Sequence, residues 1–298
     1  MEHIEIEFKM LLNEKLFHQI LKDYKEQITD SYQQTNYYLF HPELEKRKYS
    51  LRIREKKGSY ELTLKRPAKE GLKELQIELS DKQINQFLQY YELLVETNKV
   101  MNLTAITEFD EVVEKHFLDS LSLCRVYDLK DNVKILDLGT GAGFPGIPLK
   151  IAFPDLELVL ADSLNKRIKF LNQVIDELEL KNITAVHARA EELGKNKDYR
   201  EQFDVCVSRA VANLSSLSEY CIPFVKVGGK FISYKSGSIE EEVAEAKKAV
   251  FVLGGKVTDV YKFDLYEQKR SFVVINKEKH TPKIYPRKAG TPTKEPLH

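Results

Sequence analysis

The residues best placed to do chemistry form one run, Ile135-Leu136-Asp137-Leu138-Gly139-Thr140-Gly141-Ala142-Gly143-Phe144-Pro145-Gly146. An apolar stretch of strand length ends at Leu138, and glycines recur at alternate positions before a helix starts near Ile147. Glycine allows a tight turn and lets a ligand come close against the backbone. The helix beyond offers free N–H groups and the positive end of its dipole. Gly139 and Gly141 are therefore candidate ligand contacts. The same spacing occurs in dinucleotide-binding turns and in glycine-rich loops that bind nothing, so the run by itself does not name its ligand.

Two acidic positions downstream narrow the choice. Asp162 closes the next apolar run, Glu157–Ala161, where a carboxylate can accept both hydroxyls of a ribose. Ala190-Glu191 follows the third run, Ile183–His187, a position suited to backbone and carboxylate contacts with an adenine edge. The ribose contact fits a nicotinamide dinucleotide and S-adenosyl-L-methionine equally. The opening Asp137-Leu138-Gly139-Thr140-Gly141 puts an acid ahead of the loop, and little sequence remains to build a separate catalytic domain. Both features favour S-adenosyl-L-methionine as cofactor and methyl transfer as the reaction.

The elements that must position these residues follow from hydrophobic periodicity. Val133–Leu138, Glu157–Ala161, Ile183–His187, Phe203–Ser208 and Lys230–Tyr234 are apolar runs of strand length separated by helix-length segments. That alternation predicts an α/β, Rossmann-like fold with a mostly parallel sheet covered on both faces. Two further strands, near 255–263 and 271–276, have no helix between them and should form an antiparallel edge hairpin. Ahead of the core, Ser80 is a suitable N-cap for a helix carrying Ile84, Phe87, Leu88, Tyr91, Leu94 and Val95, and a second helix is expected over about 109–127. We read residues 73–298 as one domain with a helical part (78–130), a core (131–276) and an irregular basic tail (277–298).

Residues 1–70 read differently, as a small α+β domain built on an antiparallel sheet. Residues 4–9 alternate apolar and polar, a helix is expected over roughly 13–27, and strands Tyr49–Glu55 and Ser59–Lys65 flank a turn at Lys57-Gly58. Residues 66–71 are polar, contain both Pro and Gly, and are the predicted linker. Across the 298 residues, 46 basic and 46 acidic side chains cancel, so only local clusters can indicate a charged partner. Cys124, Cys206 and Cys221 lack the spacing of a disulfide framework or a zinc site and are expected to be buried thiols in a reducing compartment. Glu2, Glu5 and Glu7 do not suit a signal peptide, and no apolar run reaches the ~20 residues that span a bilayer. A cytoplasmic location with no membrane partner is expected.

Six motifs occur in order: Asn98-Lys99-Val100-Met101-Asn102-Leu103-Thr104-Ala105-Ile106, His116-Phe117-Leu118-Asp119-Ser120-Leu121, the glycine turn, Asp162-Ser163 with Lys166-Arg167, Ser208-Arg209-Ala210-Val211-Ala212, and Arg287-Lys288-Ala289-Gly290-Thr291-Pro292. With these, the chain from about Leu72 to His298 resembles the glucose-inhibited division protein B family, the small-subunit rRNA methyltransferase G proteins. The resemblance implies methylation of N7 of a guanine in the 530 loop of 16S rRNA. The partner would be 16S rRNA, the small ribosomal subunit or its assembly intermediate. It also implies that Gly139 and Phe144 line the cofactor pocket, that Ala190 and Glu191 hold the adenine side, and that Arg209 contacts cofactor or substrate. Thr97 stands where the family usually has tryptophan.

That chemistry agrees with what is missing. Guanine N7 loses no proton before attack, so alignment and desolvation matter more than a general base. No Asn-Pro-Pro-Tyr segment follows the fourth strand, and no cysteine is placed for covalent attack on a pyrimidine. We therefore assign no catalytic acid or base and no metal ligand. His116, on an amphipathic helix, reads as a packing or capping residue, and Arg209 could equally pair with a structural carboxylate. For RNA, Lys166 and Arg167 at the start of the helix after Asp162, and Arg287 and Lys288 in the tail, are the candidate contacts. Residues 277–295 hold six Lys/Arg against two Glu. A solvated helix face explains Lys166 and Arg167 as readily.

Glu5-x-Glu7-x-Lys9, Thr35-Asn36-Tyr37-Tyr38, Leu51-Arg52-Ile53-Arg54 and Leu62-Thr63-Leu64-Lys65 resemble the front half of a CYTH, or triphosphate tunnel metalloenzyme, domain. Residues 46–69 carry ten Lys/Arg and two Glu, which suits a polyanion. Phe40 stands where that family usually has Asp, and the second half of the barrel is absent, so a remnant or an accessory RNA-contacting module is expected. The competing readings are a triphosphate-binding or hydrolysing module with the methyltransferase as passenger, and a small-molecule methyltransferase.

Overall fold

The computed structural model describes residues 6–12, 14–23, 28–32, 36–39, 50–56, 59–66, 68–129, 132–209, 212–266 and 268–297. Over 6–70 the description is of backbone, with a few side chains in the first helix. The chain divides into two units, Met1–Glu78 and Leu79–His298.

In the first unit, strands β1 (Ile6–Leu12), β2 (Ile28–Tyr32), β3 (Asn36–Leu39), β4 (Ser50–Lys56) and β5 (Ser59–Arg66) form one sheet in the order β1-β5-β4-β3-β2. All neighbours are antiparallel, and the register sets Lys9 against Thr63 and Thr63 against Arg52. The helix Glu14–Asp23 follows β1, within the expected span; the predicted positions 13 and 24–27 lie outside the described residues. So do Glu5, Thr35, Phe40, the turn at 57–58 and the side chains of Glu7, Lys9, Arg52 and Arg54, on which the tunnel-enzyme resemblance rests. The segment read as a linker is instead strand to Arg66 and then a helix, Ala68–Glu74. Ala, Lys, Glu and Leu are strong helix formers, and together they outweigh the single Gly71.

In the second unit the strands are β6 (Lys134–Leu138), β7 (Glu157–Asp162), β8 (Ile183–His187), β9 (Phe203–Arg209), β10 (Val225–Ser236), β11 (Gly255–Leu265) and β12 (Gln268–Lys277). They make a seven-stranded sheet in the order β11-β12-β10-β9-β6-β7-β8. The five from β8 to β10 are parallel, and β12 runs antiparallel to both β10 and β11, forming the edge hairpin. Burial in β6 and β7 is nearly continuous rather than alternating, because helices cover both sheet faces. Ile135, Leu136, Leu160 and Val205 are wholly inaccessible, each side chain contributing roughly 1.5–3 kcal/mol. Strand order reverses between β6 and β9, and such a switch point opens a crevice outside the carboxyl ends of the strands. The glycine turn leaves β6 at this crevice, and Arg209 ends β9 there.

Ser80 caps the helix Asp81–Met101 and shares a reciprocal capping box with Gln83. The second helix does not run uniformly over 109–127. It comprises an α turn (Phe109–Val112), a π turn (Val113–Leu118), an α turn (Asp119–Leu121) and a 3₁₀ turn (Ser122–Arg125). Cys206 and Cys221 are buried, Cys124 is half-buried, and none of the three is in a disulfide. Among the described residues, no helix is long and apolar enough to cross a membrane. The tail is less irregular than expected, since β12 runs to Lys277 and a short helix, Thr291–Lys294, precedes the end.

Candidate active site

Asp137 builds the glycine turn from below. It is fully buried, and its Oδ2 accepts from Thr140 Oγ1 at 2.6 Å and from Gly146 N at 2.8 Å, tying both ends of the loop to β6. Burial pushes this carboxyl up to about 7, against the lowering effect of those two hydrogen bonds. Tyr90, from the helix Asp81–Met101, donates its hydroxyl to Ala142 O at 2.7 Å and braces the turn from above. Gly141 has φ +64°, and a Cβ placed there would meet nothing within 4 Å, so its face opens into the crevice. Gly143, at φ +107°, is the opposite case, with Ile147, Tyr90 and Leu171 packed against it.

The crevice is a cleft of about 640 Å³, within the roughly 300–1,000 Å³ of small-molecule sites. Gly139, Gly141, Phe144, Asp162, Ala190, Glu191 and Arg209 all line it. Asp162 Oδ1 accepts from Leu164 N at 2.9 Å, and Oδ2 accepts from Gly141 N at 3.0 Å and Arg167 Nη1 at 3.1 Å. Arg167, expected as an RNA contact, is thus turned toward Asp162 and lines the cleft. Glu191 Oε1 accepts from Gly290 N at 2.9 Å, which brings the C-terminal segment to the cleft wall. That contact joins residues 99 positions apart, and no local pattern could announce it.

Arg209 pairs with a carboxylate and also lines the cleft. Its Nη1 donates to Asp119 Oδ2 at 2.9 Å and to Lys115 O at 3.2 Å, while its guanidinium lies 5.1 Å from the Phe144 ring centroid. The other Asp119 oxygen accepts from Arg270 Nε at 2.8 Å, so one buried carboxylate bridges two arginines. His116 stacks on Phe144 at 4.4 Å, with Nδ1 near Lys115 O and Arg209 Nη2 and Nε2 3.0 Å from Thr104 Oγ1. Burial first, and the Arg209 charge second, lower this imidazole to about 4, so it is neutral at pH 7. The π turn sets this geometry by placing Lys115 O, His116 and, just beyond, Asp119 around one guanidinium. His116 packs as expected, but it also lines the cleft; Asp119 and Arg270 were not expected here.

The candidate RNA cations divide. Lys166 is exposed and reaches Met101 O at 3.1 Å, and Lys288 is exposed. Arg287 is not a free cation. It donates through Nε (3.0 Å) and Nη2 (2.7 Å) to the carboxylate of Glu219, which is 1% exposed and would otherwise be a buried unpaired charge. Lys277, counted in the basic tail, is likewise buried against Ile222 O at 2.9 Å and Glu201 at 3.2 Å.

The cleft residues fit the cofactor. An open glycine backbone, two nearly buried carboxylates and a held guanidinium surround a cavity of the right size, at the switch point of a mostly parallel sheet with an antiparallel edge hairpin. Fold and site together define a Rossmann-like methyltransferase domain of the S-adenosyl-L-methionine-dependent class. The profile of the family described as "GidB: rRNA small subunit methyltransferase G" matches residues 83–273. A ribosomal RNA small subunit methyltransferase G of Lachnoclostridium phytofermentans is 56% identical over 230 residues, 76% of this chain and 95% of that protein. The protein of the same name from Acetivibrio thermocellus is 52% identical over 240 residues, 80% of this chain and 98% of that one. A SAM dependent methyltransferase of Aquifex aeolicus aligns in structure with a TM-score of 0.43 and 18% identity, over 55% of this chain and 92% of that one. The chain belongs to the GidB family of rRNA small subunit methyltransferase G proteins.

Proposed function

We propose that this protein methylates N7 of a guanine in the 530 loop of 16S rRNA, using S-adenosyl-L-methionine. Family membership supports an rRNA acceptor, and the contents of the cleft support a ring nitrogen. The cofactor, when bound, supplies an electrophilic sulfonium methyl. The protein's part is then to align the acceptor and exclude water. One observation carries the choice of N7: among the described residues that line the cofactor cleft there are positioning groups and no competent base. Asp162 and Glu191 are engaged with backbone N–H groups, and His116, at about 4, is a poor proton acceptor at neutral pH. An exocyclic amine or a ribose hydroxyl must lose a proton on methylation, whereas guanine N7 does not.

In this reading Gly139 and Gly141 bring backbone against the cofactor, Asp162 serves its ribose, Ala190 and Glu191 its adenine, and Phe144 and Arg209 the reacting end. Lys166 and Lys288 contribute phosphate contacts. The acceptor is 16S rRNA, free or in the small subunit or its assembly intermediate, and the reaction is cytoplasmic. The first unit is an accessory module. The test is incubation with methyl-labelled cofactor and, separately, small subunits, deproteinised 16S rRNA, small amines and phenols, and tripolyphosphate. Label should enter rRNA. Transfer to small molecules alone, or phosphate release from tripolyphosphate without rRNA labelling, would overturn the proposal.

A further inference from the structure

Beside the cofactor cleft lies a second one of about 750 Å³, set at the carboxyl ends of β9 and β10 and walled by the edge hairpin. The two clefts share Arg209 and His116, so ligands in both would meet over those two side chains. Methyl transfer requires that kind of contact between donor and acceptor. We propose that this second cleft holds the acceptor guanosine nucleotide, flipped out of the RNA; the inference rests on the rRNA reading above.

Three features of the wall fit that ligand. Half-buried Phe263 stacks on Phe272 at 5.2 Å and 17° and carries the Arg125 guanidinium 5.3 Å from its centroid, so this wall offers a base an aromatic edge. Lys115, Arg209, Lys235 and Arg270 face two carboxylates, Asp119 and Glu242, and His116 is neutral. Lys115 also pairs with Glu111 just outside the lining, so four cations meet three anions and the cleft keeps a net positive charge, as a phosphate-bearing ligand requires. Glu242 Oε1 takes both Leu214 N and Lys235 Nζ, each at 2.6 Å, and among the described residues Oε2 has no hydrogen-bond partner. A carboxylate oxygen there accepts from the N1–H and N2–H₂ edge of guanine, an edge adenine does not present, and leaves N7 on the far side of the base free to react. The Asp119 bridge makes this more than adjacency. Arg270 stands in the second cleft and Arg209 at the junction, and both are held by one buried carboxylate, so the acceptor wall and the cofactor wall are one rigid unit.

The experiment uses the full-length protein and rRNA carrying 6-thioguanine, photo-crosslinked in the presence of S-adenosylhomocysteine. Cofactor affinity by calorimetry and kcat/KM for rRNA are measured in Glu242→Gln and Lys115→Ala. Glu242→Gln keeps an oxygen for Leu214 N and replaces the open acceptor with an amide, so kcat/KM should fall about 10- to 100-fold with cofactor affinity unchanged. Lys115→Ala should raise KM and flatten its salt dependence. Crosslinks should map to 234–242 or 263–272. Crosslinks elsewhere, with both variants at wild-type kcat/KM on an rRNA that is methylated, would overturn the acceptor site alone. Failure of the wild-type protein to methylate any rRNA would instead sink the functional reading on which the site depends.

Discussion

Two glycines two positions apart should fail in opposite ways. At Gly141 an alanine meets nothing within 4 Å, so its folding cost is the left-handed backbone alone, about 1–2 kcal/mol. Its methyl, however, stands in the cleft where the cofactor must approach. Intruding on a fitted ligand costs about 1–3 kcal/mol, or roughly 5- to 150-fold in Kd. At Gly143 an alanine carries the same backbone strain and adds a Cβ 2.6 Å from Ile147 Cγ1, 2.9 Å from the Tyr90 hydroxyl and 3.0 Å from Leu171 Cδ2. Overpacking there adds about 1–3 kcal/mol, for a total near 2–5 kcal/mol. Urea unfolding reads the folding term, and calorimetric titration with S-adenosylhomocysteine reads the binding term. Gly141→Ala should be the milder variant in folding and the weaker in binding. Wild-type affinity in Gly141→Ala, or a Gly143→Ala protein as stable as Gly141→Ala, would refute the assignment of these two faces of the turn.

Further outcomes follow from the buried charges. Arg287→Ala leaves Glu219 buried without its partner and should destabilise the protein by about 3–5 kcal/mol in urea, whereas Lys288→Ala should stay within about 0.5 kcal/mol and lower only RNA affinity. His116 is held at about 4 against an ordinary 6.5, so its contribution is complete above pH 6.5 and lost as pH falls toward 4, about 2 kcal/mol by pH 5. Asp137, raised to about 7 from 3.8, acts oppositely, its penalty easing as pH falls from 7 toward 3.8. The parent should therefore change by no more than about 1 kcal/mol between pH 7 and 5, while Asp137→Asn should lose about 2 kcal/mol over that interval; parallel unfolding curves for the two proteins would contradict this. Removing residues 1–78 should leave methyl transfer within about tenfold, or ~1.4 kcal/mol in barrier, and a folded remainder with far lower activity would assign RNA presentation to the first unit.

The parallel core was legible because strands such as Leu158–Ala161 and Val205–Val207 are apolar on both faces, and the glycine turn because backbone conformation constrains residue type there. The pairings that hold the site were not. Asp119 meets Arg209 across 90 residues and Arg270 across 151, and Glu219 meets Arg287 across 68. Charge complementarity between distant positions leaves no periodic trace, so Arg287 looked like one more cation in a basic tail. The π turn at Val113–Leu118 was hidden for a related reason: its sequence has an ordinary amphipathic pattern, and packing of His116 on Phe144 and Arg209 rewards the wider turn only in the folded protein. At 66–71, composition pointed to a linker, yet the helix formers on either side of Gly71 prevailed.

The central claim is that the methyl group goes to N7 of a guanine in 16S rRNA. It is tested most directly by transferring labelled methyl to small subunits or 16S rRNA and treating the product with borohydride and aniline, which breaks the chain at N7-alkylated guanine. The account predicts one labelled guanine in the 530 loop and strand scission at that position. Label that survives without scission, on an exocyclic amine, a ribose oxygen or a pyrimidine carbon, would contradict it.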